Sequence, residues 1–397
     1  MENLSPNQKA FNRLKKNKPA LLGIGLIFFS VIIAIFGYII SPDSTPNAND
    51  QMPTIALKNP GFEAKILKVR KNREIVESSI LSRLFLGAEN EFEMIPIDSF
   101  QIAGDSVFFN KYRGDNIHST ILKEKIHLAD IAYNIPFEDT KSLVKKEGFY
   151  CFGNKKYDIA QTKILVEQQI KTQKFYLGTD NYGRDNLSRL IIGVRISLLV
   201  GLIAVIISLT IGVLLGALAG YFGGKVDEII MLVINTVWSI PTILLVFAIV
   251  LAFGKSVGII FLAVGLTMWV DVARLVRGQV LSLKEISFVE AAQSMGFSTG
   301  RILMRHILPN ILGPVMVVAA SNFATAILIE SGLSYLGFGI QPPTPSWGTM
   351  LNENYGYAIG GKPFLALVPA VAIMVMVLAF NLVGNGFRDA LDVKSKD

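Results

Sequence analysis

Five stretches of this chain run 24 residues or more without a Lys, Arg, Asp or Glu: Pro19–Pro42, Ile196–Gly224, Ile229–Gly254, His306–Ile329 and Pro363–Phe387. The hydrocarbon core of a bilayer is about 30 Å thick, and a helix rising about 1.5 Å per residue crosses it in about 20 residues. Each stretch is therefore predicted to form a membrane-spanning helix. A sixth, Ser256–Val270, has only 15 uncharged residues and is predicted to continue through Asp271, Arg274 and Arg277, carrying charge into the interface. The uncharged stretch Ser331–Asn352 contains Pro342, Pro343 and Pro345 among several glycines, which a lipid-exposed helix does not tolerate, so a loop is expected there.

Between the first and second spans the pattern changes. Phe62–Arg70 partly alternates like a strand, whereas Glu77–Leu86 has helical spacing, which predicts an α+β insertion over residues 43–180. Orientation follows from the positive-inside bias of short flanks. With six spans and the N-terminus inside, the cytoplasmic pieces 1–18, 225–228, 271–305 and 388–397 hold 14 Lys/Arg, and the short outer loops hold Lys255 and Lys362. Both termini are expected in the cytoplasm and the insertion outside it. The first span, with basic residues Lys9, Arg13, Lys15, Lys16 and Lys18 before it, is too long for a signal-peptide core and lacks a small-x-small cleavage pattern, so an uncleaved anchor is expected.

Composition sharpens this division. The chain has 397 residues, 51% hydrophobic and 17% charged, with a formal net charge of +7. Residues 41–180 hold 19 basic and 19 acidic side chains, so this block is composed like a water-soluble domain and the whole excess belongs to the apolar remainder. Nucleic acid is not an expected partner; membrane lipid is. Cys151 stands alone, and His118, His127 and His306 have no metal-ligand spacing, so neither a disulfide framework nor a metal is expected. Gly254-Lys255-Ser256 ends like a phosphate-binding loop, but Ile249 occupies the place of its first glycine. No catalytic set of side chains is visible in the spans, so the chain is not expected to be an enzyme.

Within the spans, Gly212, Gly216 and Gly220 recur every four residues and offer one helical face to a close neighbour. Pro241 is expected to kink the third span, and Asn235 to bond to another helix. Residues 283–309, between the fourth and fifth spans, read as a short helix-turn-helix. Glu290-Ala291-Ala292 favours helix, Gly296 permits a tight turn, Ser298 or Thr299 can cap the second helix, and Pro309 stands where the next span begins. Its small residues allow another protein's surface to come close, while Arg274, Arg277 and Arg305 read as interface anchors.

This loop resembles the EAA motif of ABC importer membrane subunits: Glu-Ala-Ala, three residues, Gly, nine residues, Ile-x-Leu-Pro. The matching residues are Glu290, Ala291, Ala292, Gly296, Leu308 and Pro309; His306 stands at the Ile position. Leu177-Gly-Thr-Asp-Asn-Tyr-Gly-Arg-Asp-Asn-Leu-Ser-Arg189, Gln341–Gly348 and Phe387–Asp392 are similar to segments of the C-type permease subunit of dipeptide, oligopeptide and nickel importers. The resemblance covers residues 9–42 and about 175–392, and departs from the family in the unusual size of the insertion.

The resemblance implies an all-α polytopic bundle of the type I ABC importer kind, with five or six transmembrane helices and here an added α+β extracytoplasmic insertion. It divides the chain into a cytoplasmic tail (1–18), a first transmembrane helix (19–42), the insert (43–180), a permease core (181–392) and a C-terminal tail (393–397). The implied function is that of a bacterial inner-membrane permease, most simply for di- or oligopeptides, working by alternating access. The implied partners are a second permease, two ABC ATPases and an extracytoplasmic binding protein. ATP is expected on the ATPases, no cofactor on this chain, and the ATPases are expected to dock at Glu290, Ala291, Ala292, Gly296, Leu308 and Pro309. A rival reading is a membrane sensor or mechanotransmission subunit in which an ATPase moves the insertion and nothing crosses.

Overall fold

The computed structural model describes residues 6–71, 79–114, 124–133, 135, 143–146, 148–152 and 155–391. The chain divides into two compact units, one of Met1–Ala34, Gly193–Asn352 and Pro369–Asp397, the other of Ile35–Ile192 and Glu353–Val368. It opens with α1 (Pro6–Lys16) and the apolar α2 (Lys18–Ile40). Asn17 separates them, and its side-chain oxygen accepts the Ala20 amide at 3.1 Å, supplying a partner to an otherwise orphaned first-turn donor.

The second unit holds the insertion. A five-stranded antiparallel sheet has the order β4-β3-β2-β1-β8, formed by β1 (Phe62–Arg70), β2 (Phe92–Ala103), β3 (Ser106–Lys111), β4 (Glu124–His127) and β8 (Ile170–Phe175). A short helix, α3 (Ile80–Leu86), lies between β1 and β2, and α4 (Leu128–Ala132) follows β4. The small antiparallel sheet of β5 (Val144–Lys146), β6 (Phe149–Phe152) and β7 (Lys155–Asp158) leads into α5 (Ile159–Gln169).

Ile66 and Leu67, adjacent on the interior strand β1, point to opposite faces of the sheet, and both are fully buried because both faces are covered. Leu67 packs with Val107, Phe109, Leu128, Ile131 and Val166, whereas Ile66 packs with Met52, Ile55, Tyr112 and Phe175. Burial on both faces explains why alternation along Phe62–Arg70 is only partial. The helical spacing over Glu77–Leu86 corresponds to α3 from Ile80 onward; Glu77 and Ser78 lie outside the described residues.

The remainder is helical: α6 (Asn186–Phe222), α7 (Gly224–Trp238), α8 (Thr242–Phe253), α9 (Val257–Thr267), α10 (Trp269–Lys284), α11 (Ser287–Ser294), α12 (Thr299–Ile302), α13 (Leu308–Tyr335), α14 (Trp347–Ile359) and α15 (Phe364–Leu391). Among the described residues five helical segments are long and apolar enough to cross a membrane, and a sixth crossing arises if α7 and α8 form one broken span. The segment from Val257 runs to Lys284, past Asp271, Arg274 and Arg277.

The structure sharpens one expectation and corrects another. The kink expected at Pro241 within Ile229–Gly254 is a full break between two helices, bent by 87°. Pro241 cannot donate to the ladder, and the Val237 carbonyl accepts the Ile240 amide at 3.2 Å in a tightened last turn. The Pro241 carbonyl then starts α8 by accepting the Leu244 and Leu245 amides at 2.9 and 3.1 Å. The loop expected over Ser331–Asn352 shrinks to residues 336–346, because α13 continues to Tyr335 and α14 begins at Trp347. The prolines stay in the irregular part, and the Ser346 hydroxyl, accepting the Thr349 amide at 3.1 Å, supports the first turn of α14.

Candidate functional site

The helix-turn-helix at 287–302 is built around a glycine. Gly296 has φ +76°, and its amide donates to the Gln293 carbonyl at 2.9 Å while the Phe297 amide donates to the Ala292 carbonyl at 3.2 Å. These bonds are the two of a Schellman motif, which ends α11 and satisfies its last carbonyls. An added Cβ at Gly296 would meet no atom within 4 Å, so the glycine is required by its left-handed backbone and not by crowding. Phe297 then lies between the Arg301 guanidinium, 4.1 Å from its ring centre, and the His306 ring, stacked at 6.0 Å, which ties the turn to the next helix.

Between α12 and α13, residues Leu303–Ile307 form a wide π turn, with the Leu308 amide bonded to the Leu303 carbonyl. Pro309 explains it: its ring would collide with the carbonyl four residues earlier in a regular helix, and widening the turn relieves the clash. The expected second helix and fifth span are thus one continuous helical path with a π segment at the basic pair Arg305 and His306.

Of the residues singled out from the sequence, Ala292 is buried, Leu308 is half-buried, and Glu290, Ala291, Gly296 and Pro309 are exposed. The helix α11 therefore has two faces. Val289 and Ala292 enter a core with Ala217 of α6, Val272, Val276 and Val280 of α10, and Ile307 and Ile311. The other side presents Glu290 and Ala291, flanked by exposed Ile286, Phe288 and Met295. Ser287, Gln293 and Ser294 are exposed on the same helix, so its outer side mixes apolar and polar groups around Glu290.

The link from this face to the spans runs through α10. A Cβ on Gly212, Gly216 or Gly220 would come within 2.5 Å of Val272, 2.5 Å of the Ala273 carbonyl or 2.8 Å of the Arg277 carbonyl, respectively, so the glycine stripe of α6 lies directly on the α10 backbone. Asp227 of α7 pairs with Arg277 at 2.5 Å, and Arg274 donates to Asn235 at 2.8 Å while covering the Trp238 ring at 3.9 Å. Lys284 caps the Tyr221 carbonyl at 2.7 Å. Arg274 and Arg277 thus bond to α7, and Arg305 is exposed.

A second polar centre, in the other unit, was not anticipated from the sequence. Asp180 accepts the Arg184 amide at 2.9 Å, Arg184 Nε at 2.6 Å and Arg189 Nη1 at 3.0 Å, and both guanidiniums reach Glu353, at 2.7 and 3.0 Å. All four side chains are at most 10% exposed. Two cations and two anions make the cluster neutral, which is what burial demands. Beside it, Asp185 accepts the Ser188 amide at 2.8 Å; burial pushes its carboxyl above the usual range, against the pull of Ser188. The Ser188 hydroxyl also accepts the Asp43 amide at 2.9 Å. The Asp-Asn-Tyr-Gly-Arg-Asp stretch is therefore a structural clasp.

Among the described residues no group of His, Cys, Asp and Glu could hold a metal ion. His127 caps α4 by accepting the Ala129 amide at 3.2 Å, and burial lowers its pKa; Cys151 is a half-buried free thiol; His118 lies outside the described residues.

Residues 212–396 match the family model described as binding-protein-dependent transport system inner membrane component, and residues 5–60 match the N-terminal TM domain of oligopeptide transport permease C. The chain is 46% identical over 240 residues to the oligopeptide transport system permease protein OppC of Escherichia coli K12, covering 60% of this chain and 79% of that protein. It is 39% identical over 239 residues to OppC of Bacillus subtilis, covering 60% and 78%. It is 41% identical over 237 residues to the dipeptide transport system permease protein DppC of Alkalihalophilus pseudofirmus, again covering 60% and 78%.

Proposed function

The chain belongs to the family of binding-protein-dependent transport system inner membrane components, and from that premise we infer that it is a permease subunit of an ABC importer for di- or oligopeptides. It is a multi-pass membrane protein and not an enzyme; ATP hydrolysis belongs to partner ATPases, and a second permease completes the pathway. The similarity to peptide permeases favours transport over the sensor reading.

The observation that carries the mechanism is the two-faced helix α11. Its exposed side, with Glu290 and Ala291, is the docking face for a cytoplasmic ATPase, and its buried side, with Val289 and Ala292, joins the core shared by α6, α10 and α13. A displacement imposed on α11 by the ATPase therefore moves α10. Through the glycine contact and the Asp227–Arg277 pair, α10 carries α6 and α7 with it. Packed helices shift as rigid bodies, which is how ATP-driven closure becomes alternating access.

In this reading both termini are cytoplasmic, the insertion of residues 43–180 is extracytoplasmic, and peptide arrives from a binding protein there. The lysine and arginine bias of the short flanks supports that orientation. No cofactor is assigned to this chain, and ATP binds the partner subunits.

Affinity purification of the tagged chain from its own membrane in mild detergent tests the assembly. A second permease and ABC ATPases are expected to co-purify, and a Glu290→Lys variant that still inserts is expected to lose the ATPases. Retention of both ATPases by that variant would remove Glu290 from the docking face. ATP-dependent uptake of labelled peptide by vesicles containing the whole assembly tests transport; ATP hydrolysis without accumulation would restore the sensor.

A further inference from the structure

The helix α3 is a seven-residue segment, Ile-Leu-Ser-Arg-Leu-Phe-Leu, with no buried side chain. Ile80 is 87% exposed, Leu81 69%, Phe85 56% and Leu86 67%. Four large apolar side chains crowded into two turns are not a solvated face; such a patch marks a surface that something apolar covers.

Its attachment identifies the cover. α3 ends at Gly87, where φ is +81° and an added Cβ would lie 2.9 Å from the Tyr38 ring and 2.8 Å from the Ser44 carbonyl. The next amide, of Ala88, donates to that same carbonyl at 3.0 Å. Tyr38 stands in the last turn of α2, the first membrane span, and its hydroxyl accepts the Asn47 amide at 3.2 Å. A tyrosine with its ring on an apolar helix and its oxygen on polar backbone is the side chain that sits at a membrane–water boundary. Around it Ile35, Phe36, Ile39 and Ile40 are exposed by 39 to 70%, as lipid-facing residues of a span are. The residue that ends α3 thus lies against the last turn of α2, the end of the span that carries these lipid-facing side chains.

We infer that α3 is an interfacial helix that lies in the membrane surface, its side chains Ile80, Leu81, Phe85 and Leu86 reaching the boundary of headgroups and acyl chains. The insertion is then held to the bilayer at a second point besides its covalent connections. A helix of this kind buries its apolar face by about 5–10 Å, a depth within reach of a segment fixed to the last turn of a span.

The test is spin-label accessibility in the full chain reconstituted into phosphatidylcholine–phosphatidylglycerol nanodiscs. Cys151 is replaced by serine, and labels are placed singly at Leu81→Cys, Leu86→Cys and, for comparison, at Ile164→Cys of α5, which is 56% exposed. The three positions are exposed, so a label displaces no packed neighbour. At Leu81 and Leu86 collisions with oxygen are expected to rise and collisions with a water-soluble nickel chelate to fall severalfold relative to Ile164. Labels on α3 as accessible to the chelate as Ile164 would overturn the inference. Labels shielded from both reagents would overturn it equally, in favour of a protein partner.

Discussion

Arg277 Nε and Nη2 donate to the two carboxylate oxygens of Asp227, each at 2.5 Å, and so join α10 to α7 next to the glycine stripe. The pair is only partly exposed, 28% and 19%, so its two charge-assisted bonds are screened less than those of a surface pair. Asp227→Asn is expected to destabilise the detergent-solubilised protein by about 1–2 kcal/mol. Arg277→Gln should cost a similar amount, and the double variant less than the sum. Thermal melting of the four proteins checks this; strictly additive losses would mean that the two side chains do not act on each other.

At Gly296 the demand is conformational, and the substitutions separate by backbone alone. Gly296→Ala places a Cβ residue in the left-handed region, which costs about 1–2 kcal/mol, and should weaken ATPase co-purification without loss of membrane insertion. Asn tolerates that region and should retain most of the coupling. Gly296→Pro fixes φ near −65° and removes the amide that bonds Gln293, so transport should be abolished while insertion persists. Peptide uptake and membrane content measured side by side decide it; normal uptake by the proline variant would exclude the Schellman turn from coupling.

The glycines of α6 differ in kind, since here the neighbour forbids a side chain. A Cβ at position 216 would lie 2.5 Å from the Ala273 carbonyl, a backbone atom that moves only with the whole of α10. Gly216→Val should separate the helices at a cost of about 1–3 kcal/mol or more and shift the solubilised protein toward aggregates on size exclusion. Gly258→Ala and Gly300→Ala, where a Cβ meets nothing within 4 Å, should leave that profile unchanged.

What the sequence made legible follows from the range of the interactions involved. Spans are legible because the bilayer acts on each residue separately, so charge-free length suffices. The helix-turn of 287–302 is equally local: Gly296 and the residues it bonds lie within five positions of one another. Pro241 announced a disturbance, but the 87° bend depends on how α7 and α8 pack, which no local pattern encodes. The prolines at 342, 343 and 345 masked α14, whose start depends on Ser346 and Thr349 just beyond them. Least legible was Glu353, which meets Arg184 across 169 positions of sequence and reads in isolation as an ordinary polar residue of a loop.

That long-range contact carries the last prediction. Asp180, Arg184, Arg189 and Glu353 are buried together, so removing one charge leaves an opposite one in a dry site without its partner, at about 3–5 kcal/mol. Arg189→Met should therefore lower the melting temperature far more than a surface substitution. Arg184→Lys should be nearly as damaging, although charge is kept. Arg184 spends Nε on Asp180, Nη1 on Asn49 and Nη2 on Glu353, and a single ammonium cannot span those three directions. Asp180→Asn combined with Arg189→Gln removes one charge of each sign and should cost less than Arg189→Met alone. If the neutral pair proved the more damaging, the clasp would owe its stability to shape and not to charge balance.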